Sequence, residues 1–443
     1  HLNSAWRLST GQADGDDIIT KLDATLSTIG GTHRAIHVAS KLGSATVTAL
    51  GDIGNIIIGS GYRNLNSISM LGRGLGTLFQ EITSVGTVAK NVELANRIGV
   101  ISEFASASLA NTRYAEVGAG KAQLAAEVVI RGSGLASYTN SMRTSFGLEL
   151  SANFAENFSK RMDKTPFYGM MKEYGFTYKD WDKIRSTQPH VTKGSKFLDV
   201  QKVYDIDEEL GYRVNEMIQN EMDSFVIMPT DRTRVWTTWG AKKGTIPGEA
   251  ARNFMMFKSF PIAVTMMHMR RMGQIDSAMG KVAYGSAILG AGTVMGGITL
   301  LAYDLVTGKT PRDINRPEMV YESLMKSGGL GIFGDLLFGD GQDRYGHSYT
   351  ATLVGVPAGT IEDVFKTMYR TATAPMDKKT WTDNYNTAKQ YIPGQNLWYT
   401  RMIMERTVGE FFGEMIDPKY RSKVRRRQKH MRERGQEKLL PNF

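Results

Sequence analysis

Apolar residues recur at spacings of three and four along most of the chain while strict alternation is scarce, so the pattern predicts helices nearly throughout. One stripe runs through Ala35, Val38, Ala39, Leu42 and Ala45 and continues through Val47, Leu50, Ile53 and Ile56. It is interrupted by Gly43, Gly51, Gly54 and Gly59, which predicts bends or close packing of helices. Further helices are predicted over 82–110, 115–130 and 148–162. Residues 1–165 contain no proline and all 12 prolines lie beyond, as long helices in the first part would require. After Pro166 the segments shorten. A turn at Tyr174–Phe176 leads into a short helix over 178–184 that buries Trp181. A better amphipathic helix covers 208–228, with Leu210, Val214, Met217, Ile218, Met222 and Val226 on one face and Pro229 at its end. Pro247 marks a helix start, and Pro261 predicts a kink or a division in the apolar stretch around it.

The most apolar stretch is VAYGSAILGAGTVMGGITLLAY, residues 282–303, in which 22 consecutive positions carry no charge. As a helix rising about 1.5 Å per residue it is long enough to span or nearly span a bilayer core. Yet Gly285, Ser286, Gly290, Gly292, Gly296 and Gly297 are all small, and Gly in an exposed helix costs about 1 kcal/mol relative to Ala. Gly292 and Gly296 form a G-x-x-x-G step, the spacing at which two helix backbones approach closely. Bilayer contact and dense helix packing both satisfy the pattern, with Gly285, Gly290, Gly292, Gly296, Leu300 and Leu301 as the contact positions. The preceding apolar segment, 254–272, would form a hairpin with it, although Lys258 and His268 are unfavourable in lipid.

These textures divide the chain into a proline-free helical region (1–165), a region of shorter helices and loops (166–250), an apolar hairpin (251–310), a glycine-rich region with a helix and linker (311–396), and a C-terminal helix with a basic tail (397–443). The expected fold is mainly α: an extended multi-helix assembly with glycine-rich apolar helices, a basic C-terminal helix, and little or no β-sheet.

Charge changes this picture at one place. The net charge is +10, but residues 417–443 hold ten Lys or Arg against three acids, so most of it belongs to the tail. Lys419, Arg421, Lys423, Arg425, Arg426, Arg427, Lys429, Arg432 and Arg434 face a single carboxylate, Glu433, within 16 residues. Such a helix repels itself and is relieved by phosphate groups, of double-stranded DNA or of anionic lipid. Beyond Tyr420 no aromatic residue is interleaved, so contact without sequence readout is expected.

Candidate chemistry is sparse. The absence of cysteine excludes disulfides, thiolate metal sites and a cysteine nucleophile. His33 and His37 have the spacing of a zinc-protease helix, but Arg34 stands where the general-base glutamate belongs. Gly118-Ala-Gly-Lys121 is followed by Ala122 rather than a hydroxyl, and Gly72–Gly76 lacks dinucleotide spacing. Asp340 and Asp343 read as a turn, and the adjacent Glu208 and Glu209 point to different sides of a helix. No catalytic residue, metal site or cofactor is expected. The chain opens on His1 without a recognisable leader, as a processed or partial product would.

Several blocks together carry a resemblance. HRAIHVASKLGSATVTALGDIGNIII (33–58), YGFTYKDWDKIRS (174–186), GTIPGEAARNFMMFKSFP (244–261), SGGLGIFGDLLFG (327–339) and LWYTRMIMERTVGEFFGEMIDPKYRSKVRRRQKHMRERGQE (397–437) are similar to the C-terminal region of very large tailed-phage virion proteins. That group comprises the internal virion, or DNA-ejection, proteins of short-tailed phages and the large polyvalent phage proteins. The resemblance touches most of the chain in order, and FKSFP and the basic block are its most recognisable parts. It implies a protein packaged inside the capsid, ejected through the tail, and assembled with copies of itself and with other virion, ejection or portal proteins into a conduit across the host envelope; family members often carry enzymatic modules upstream of this region, none is recognisable in these residues, and an unrecognised enzyme is the least favoured alternative. Contact with the host inner membrane and with DNA belongs to that expectation. So does the alternative of an architectural core component holding packaged DNA.

Overall fold

The computed structural model describes residues 21–83; residues 120–326 apart from 193, 228–234, 237, 243 and 257–258; and residues 367–438 apart from 374–377, 390, 396, 400–419 and 434. The glycine-rich run at 327–341, most of the helix expected over 82–110, and Gly118, Asp340 and Asp343 lie outside the described residues.

Helices dominate, as the spacing predicts. The longer ones are α1 (Lys21–Lys41), α2 (Ile53–Tyr62), α3 (Ser67–Thr83), α4 (Gly120–Ser133), α5 (Leu135–Glu156), α6 (Tyr178–Ser186), α7 (Glu208–Phe225), α8 (Ile246–Phe254), α9 (Ser259–Gln274), α10 (Ala278–Val306), α11 (Pro317–Lys326), α12 (Lys378–Lys389) and α13 (Tyr420–Glu433). Among the described residues the strands form one antiparallel hairpin, β1 (His190–Thr192) with β2 (Ser195–Phe197), with Val191 opposite Lys196. Helix starts follow local chemistry. Thr177 and Asp180 form a reciprocal capping box on α6, and Thr245 caps α8 just before Pro247. Pro261 sits in the first turn of α9, where its missing N–H leaves no bond unmade, so the stretch divides rather than kinks.

The chain forms two compact units, neither a single stretch of sequence. The first draws on residues 1–54, 115–135 and 229–443. There the predicted stripe is buried: Ala35 and Ala39 of α1 pack on Ala126 and Val129 of α4, with Val38, Ala122, Ala125 and Leu397 closing the cluster. The glycines act as expected, since the helical path after α1 tightens into 3₁₀ turns at Leu42–Ser44 and Leu50–Asp52, around Gly43 and Gly51. The Thr46 hydroxyl and the Trp398 indole N–H both donate to the Ser133 carbonyl at the end of α4, at 2.6 and 3.0 Å.

The second unit draws on residues 55–114 and 136–228, and α5 is its axis. This helix begins well before the expected start at 148, because its first half is polar and yet buried. Arg143 donates to Asp223 at 2.7 Å, and the Ser145 hydroxyl donates to the Met70 carbonyl. Further along, Ser151 donates to the Leu198 carbonyl at 3.0 Å. Phe146 stacks on Phe225 and Phe154 on Phe167, with Trp181 set edge-on against the latter pair. Trp181 is fully buried, as the sequence predicts, and its indole N–H donates to the Lys160 carbonyl at 2.9 Å.

The same unit holds a charge network. Arg63 forms a bidentate pair with Glu221 at 2.7 and 2.6 Å and reaches Glu173 at 2.9 Å, while the Tyr174 hydroxyl donates to Glu221 at 2.9 Å. Burial, and then the Glu221 carboxylate, push the Tyr174 phenol well above its usual range, so it remains a donor. Because the Glu221 side chain is only 2% exposed, Arg63→Ala leaves a buried carboxylate without its cation and should cost about 3–5 kcal/mol. Urea unfolding of the variant measures this; a loss below about 1 kcal/mol would mean that water replaces the guanidinium.

Candidate functional site

Helix α10 contains the whole of the uncharged stretch. Ser277 caps it, accepting from the Gly280 N–H at 3.0 Å. Its buried residues are Tyr284, Ile288, Gly292, Met295, Gly296, Thr299 and Leu300, a helical stripe along one side, and Asp304 near its end. That side meets the first turn of α2: a Cβ added to Gly54 would lie 3.2 Å from the Ala291 carbonyl oxygen, so glycine lets the two backbones touch. Along its second half α10 packs on α11, with Gly297 beside Ser323. At its first half it touches α9 through a 3.0 Å hydrogen bond between His268 Nδ1 and the Tyr284 hydroxyl.

The other side has no such cover. Val282, Leu289, Val294, Ile298 and Leu305 are each 45–68% exposed, with Val282 and Leu289 at one edge of this side and Val294, Ile298 and Leu305 at the other. The predicted contact positions therefore divide. Gly292, Gly296 and Leu300 lie on the buried side and serve packing within the chain, so the G-x-x-x-G step is already occupied. Gly290 is exposed, Gly285 and Leu301 are half-buried, and a Cβ at Gly285 or Gly290 would meet nothing within 4 Å. Residues 21–62 form a second run long and apolar enough to cross a membrane, which sequence reading did not single out; more than half of its most apolar window is buried, against a third for α10.

The C-terminal end of α10 is locked by charge. Asp304 is 1% exposed and receives Arg312 Nε and Nη2, both at 2.7 Å, together with the Arg312 backbone N–H at 3.2 Å. The remaining guanidinium nitrogen, Nη1, donates to Glu322 of α11. Burial opposes the charge on Arg312, but hydrogen bonds to the two carboxylates outweigh it and hold the pKa above the usual value.

Helix α13 carries the predicted phosphate-binding residues. Arg421, Arg425, Arg426, Lys429 and Arg432 are exposed, while Val424, Gln428 and Met431, on the adjoining strip of the helix, are half-buried. At about 100° per residue, Arg421, Arg425, Lys429 and Arg432 fall within about 80° of the helix circumference. Arg425, Gln428, Lys429, Arg432 and Glu433 line an open groove of about 480 Å³. Glu433 pairs with His430 at 3.0 Å. Lys423 and Arg427 belong to the same helix; Lys419 and Arg434 lie outside the described residues.

The structure joins these two features. Just past α13, Gly435 takes a left-handed φ of 66°, close to Asp313, and turns the chain onto the segment that follows α10. The Thr310 N–H donates to the Glu437 carbonyl at 2.8 Å, the Glu437 N–H donates to the Thr310 hydroxyl at 2.7 Å, and Gln436 Nε2 donates to the Thr310 carbonyl at 3.2 Å. Lys309 and Lys438 form an antiparallel bridge. Sequence reading missed this clasp, whose only local signal is the single glycine after the basic run.

The histidine pair has a different explanation. Asn253 Nδ2 donates to the Glu249 carbonyl at 2.8 Å, which turns the Asn253 oxygen toward His33 Nδ1, 3.0 Å away. A neutral His33 then donates through Nδ1 and accepts at Nε2, 3.2 Å from His37 Nε2. Arg34 donates to Glu249 at 2.7 Å, and the other oxygen of Glu249 accepts from the Gly244 N–H at 3.0 Å. The cluster fastens α8 to α1. Among the described residues no three or more His, Cys, Asp or Glu side chains gather as a metal site would require. Comparison with protein-family models, curated proteins and solved structures returns no match.

Burial, and then the nearby Arg271 charge, lower the pKa of His268 to about 4. The unfolded chain binds this proton near pH 6.5, so the stability that His268 contributes is complete above about 6.5 and is lost as pH falls toward 4. Thermal melts at successive pH values should show this loss, and His268→Gln should flatten it. An unchanged pH profile in the variant would assign the acid sensitivity elsewhere.

Proposed function

We propose that this chain is a structural, non-enzymatic component of a tailed-phage virion that leaves the capsid with the genome and helps to build the conduit across the host envelope. The carrying observation is the uncovered side of α10, which we read as a bilayer-contacting surface. Full burial of an aliphatic side chain yields about 1.5–3 kcal/mol, so covering the exposed half of Val282, Leu289, Val294, Ile298 and Leu305 would contribute several kcal/mol to membrane association. The polybasic α13 supports the same reading as a partner for phosphate groups. Its other partners would be further copies of itself and other virion, ejection or portal proteins.

A second reading makes the chain an architectural capsid or portal-core component, with the same side of α10 covered by a neighbouring subunit. The exposed Ser286, Ala287 and Gly290 favour it, because small residues admit a second helix at close range.

Flotation with phosphatidylcholine vesicles separates the two. The purified chain should float and remain bound in high salt. Val294→Asp, an exposed position that leaves the fold intact, should weaken the association about 100-fold, given about 2.5–3.5 kcal/mol for a carboxylate at mid-helix. A chain that stays in the soluble fraction favours the architectural reading.

A further inference from the structure

We infer that α13 is a headgroup-binding helix for an anionic bilayer, the same bilayer that α10 contacts, and that it sets the C-terminal end of α10 at the charged surface. The inference rests on the reading of α10 as a bilayer-contacting helix and adds the lipid class and the polarity of the arrangement.

Of three observations, the first and third favour lipid over nucleic acid and the second suits phosphate of either kind. The first is the clasp: Gln436 and Glu437 bind Thr310, so the chain just past the basic helix is fastened to the segment immediately after the apolar helix. A surface that enters lipid and a surface that binds phosphate thus meet at one end of α10. The second is how the charge is presented. Arg425, Lys429 and Arg432 open onto one groove, and among the described residues no carboxylate forms an ion pair with Arg425, Arg426, Lys429 or Arg432. Glu433, the acid in the groove, lies 3.0 Å from His430 and offsets one of the three positive charges. The third is the chemistry of the junction. Lys309 and Lys438 lie side by side there, and Lys326 of α11 sits over the Tyr303 ring at 6.0 Å, an aromatic residue and a cation together at the end of an apolar helix. Such pairs suit the membrane–water boundary. Asp313 and Glu437 are the exposed acids of the same junction and temper its charge without reversing it.

A basic residue near an anionic surface strengthens binding about fivefold. Removing Arg425, Lys429 and Arg432 together should therefore weaken binding to anionic vesicles by about two orders of magnitude. All three side chains are exposed, so the substitutions spare the fold. The test measures binding of the full chain, of the Arg425→Gln/Lys429→Gln/Arg432→Gln variant, and of a charge-matched Lys179→Gln/Arg185→Gln/Lys202→Gln control. The probes are phosphatidylcholine vesicles with and without phosphatidylglycerol, and duplex DNA.

The expected result is a loss confined to the first variant and to phosphatidylglycerol vesicles, with unchanged binding to phosphatidylcholine alone. Equal losses in both variants would reduce the effect to net charge and overturn the inference. So would a first variant that loses only DNA affinity, which would make α13 a DNA-contacting helix while leaving the reading of α10 intact. Should the unaltered chain bind phosphatidylglycerol vesicles but not phosphatidylcholine, the reading of α10 fails and the shared bilayer fails with it.

Discussion

The pairing of Asp304 with Arg312 is the interaction on which the arrangement around α10 depends. A carboxylate at the end of a 22-residue uncharged run, almost wholly buried, costs several kcal/mol unless a cation and further donors meet it. Arg312 supplies both, and by also donating to Glu322 it fixes the turn between α10 and α11. Thr310 lies inside that turn. Its backbone groups and hydroxyl are thereby held where the end of the basic helix can use them. One buried ion pair thus orders the helical hairpin directly and the polybasic helix at one remove.

The rest of α10 follows from a conflict between length and cover. A helix apolar on every side asks to be covered on every side, and the chain meets only part of the demand, with Gly54, α9 and α11 along the inner stripe. The inner side spends its glycines on close contact between backbones. The outer side keeps Val282, Leu289, Val294, Ile298 and Leu305 in the open. In the proposed role the outer side gains its cover only on reaching a membrane, and the basic helix is already fastened to the end of α10.

Periodicity made parts of the fold legible. Ala35, Ala39, Val47 and Ile56 could be named as core because their spacing matches a helix, and Trp181 because a turn leads into the short helix that buries it. Periodicity fails where a helix has no polar side to contrast. The inner and outer sides of α10 differ in neighbours rather than in residue type, and α5 buries Arg143 and Ser145 by giving each a partner far away in sequence. Arg34 showed the same limit. Its presence argued against a zinc-protease motif, but nothing local indicated that Glu249 would neutralise it. The polybasic tail was plain from composition, whereas the half-buried Val424, Gln428 and Met431 side and the clasp onto Thr310 were not. The clasp uses backbone groups and one hydroxyl, which leave no pattern in sequence.

The central claim is that the outer side of α10 meets lipid. Because the chain has no cysteine, Val294→Cys provides a unique attachment point for an environment-sensitive fluorophore, with Lys179→Cys as a reference on a polar surface. On addition of vesicles carrying a quencher in the acyl region, the label at 294 should shift to the blue and be quenched, and the label at 179 should do neither. A label at 294 that keeps its aqueous spectrum while the protein is vesicle-bound would contradict the account.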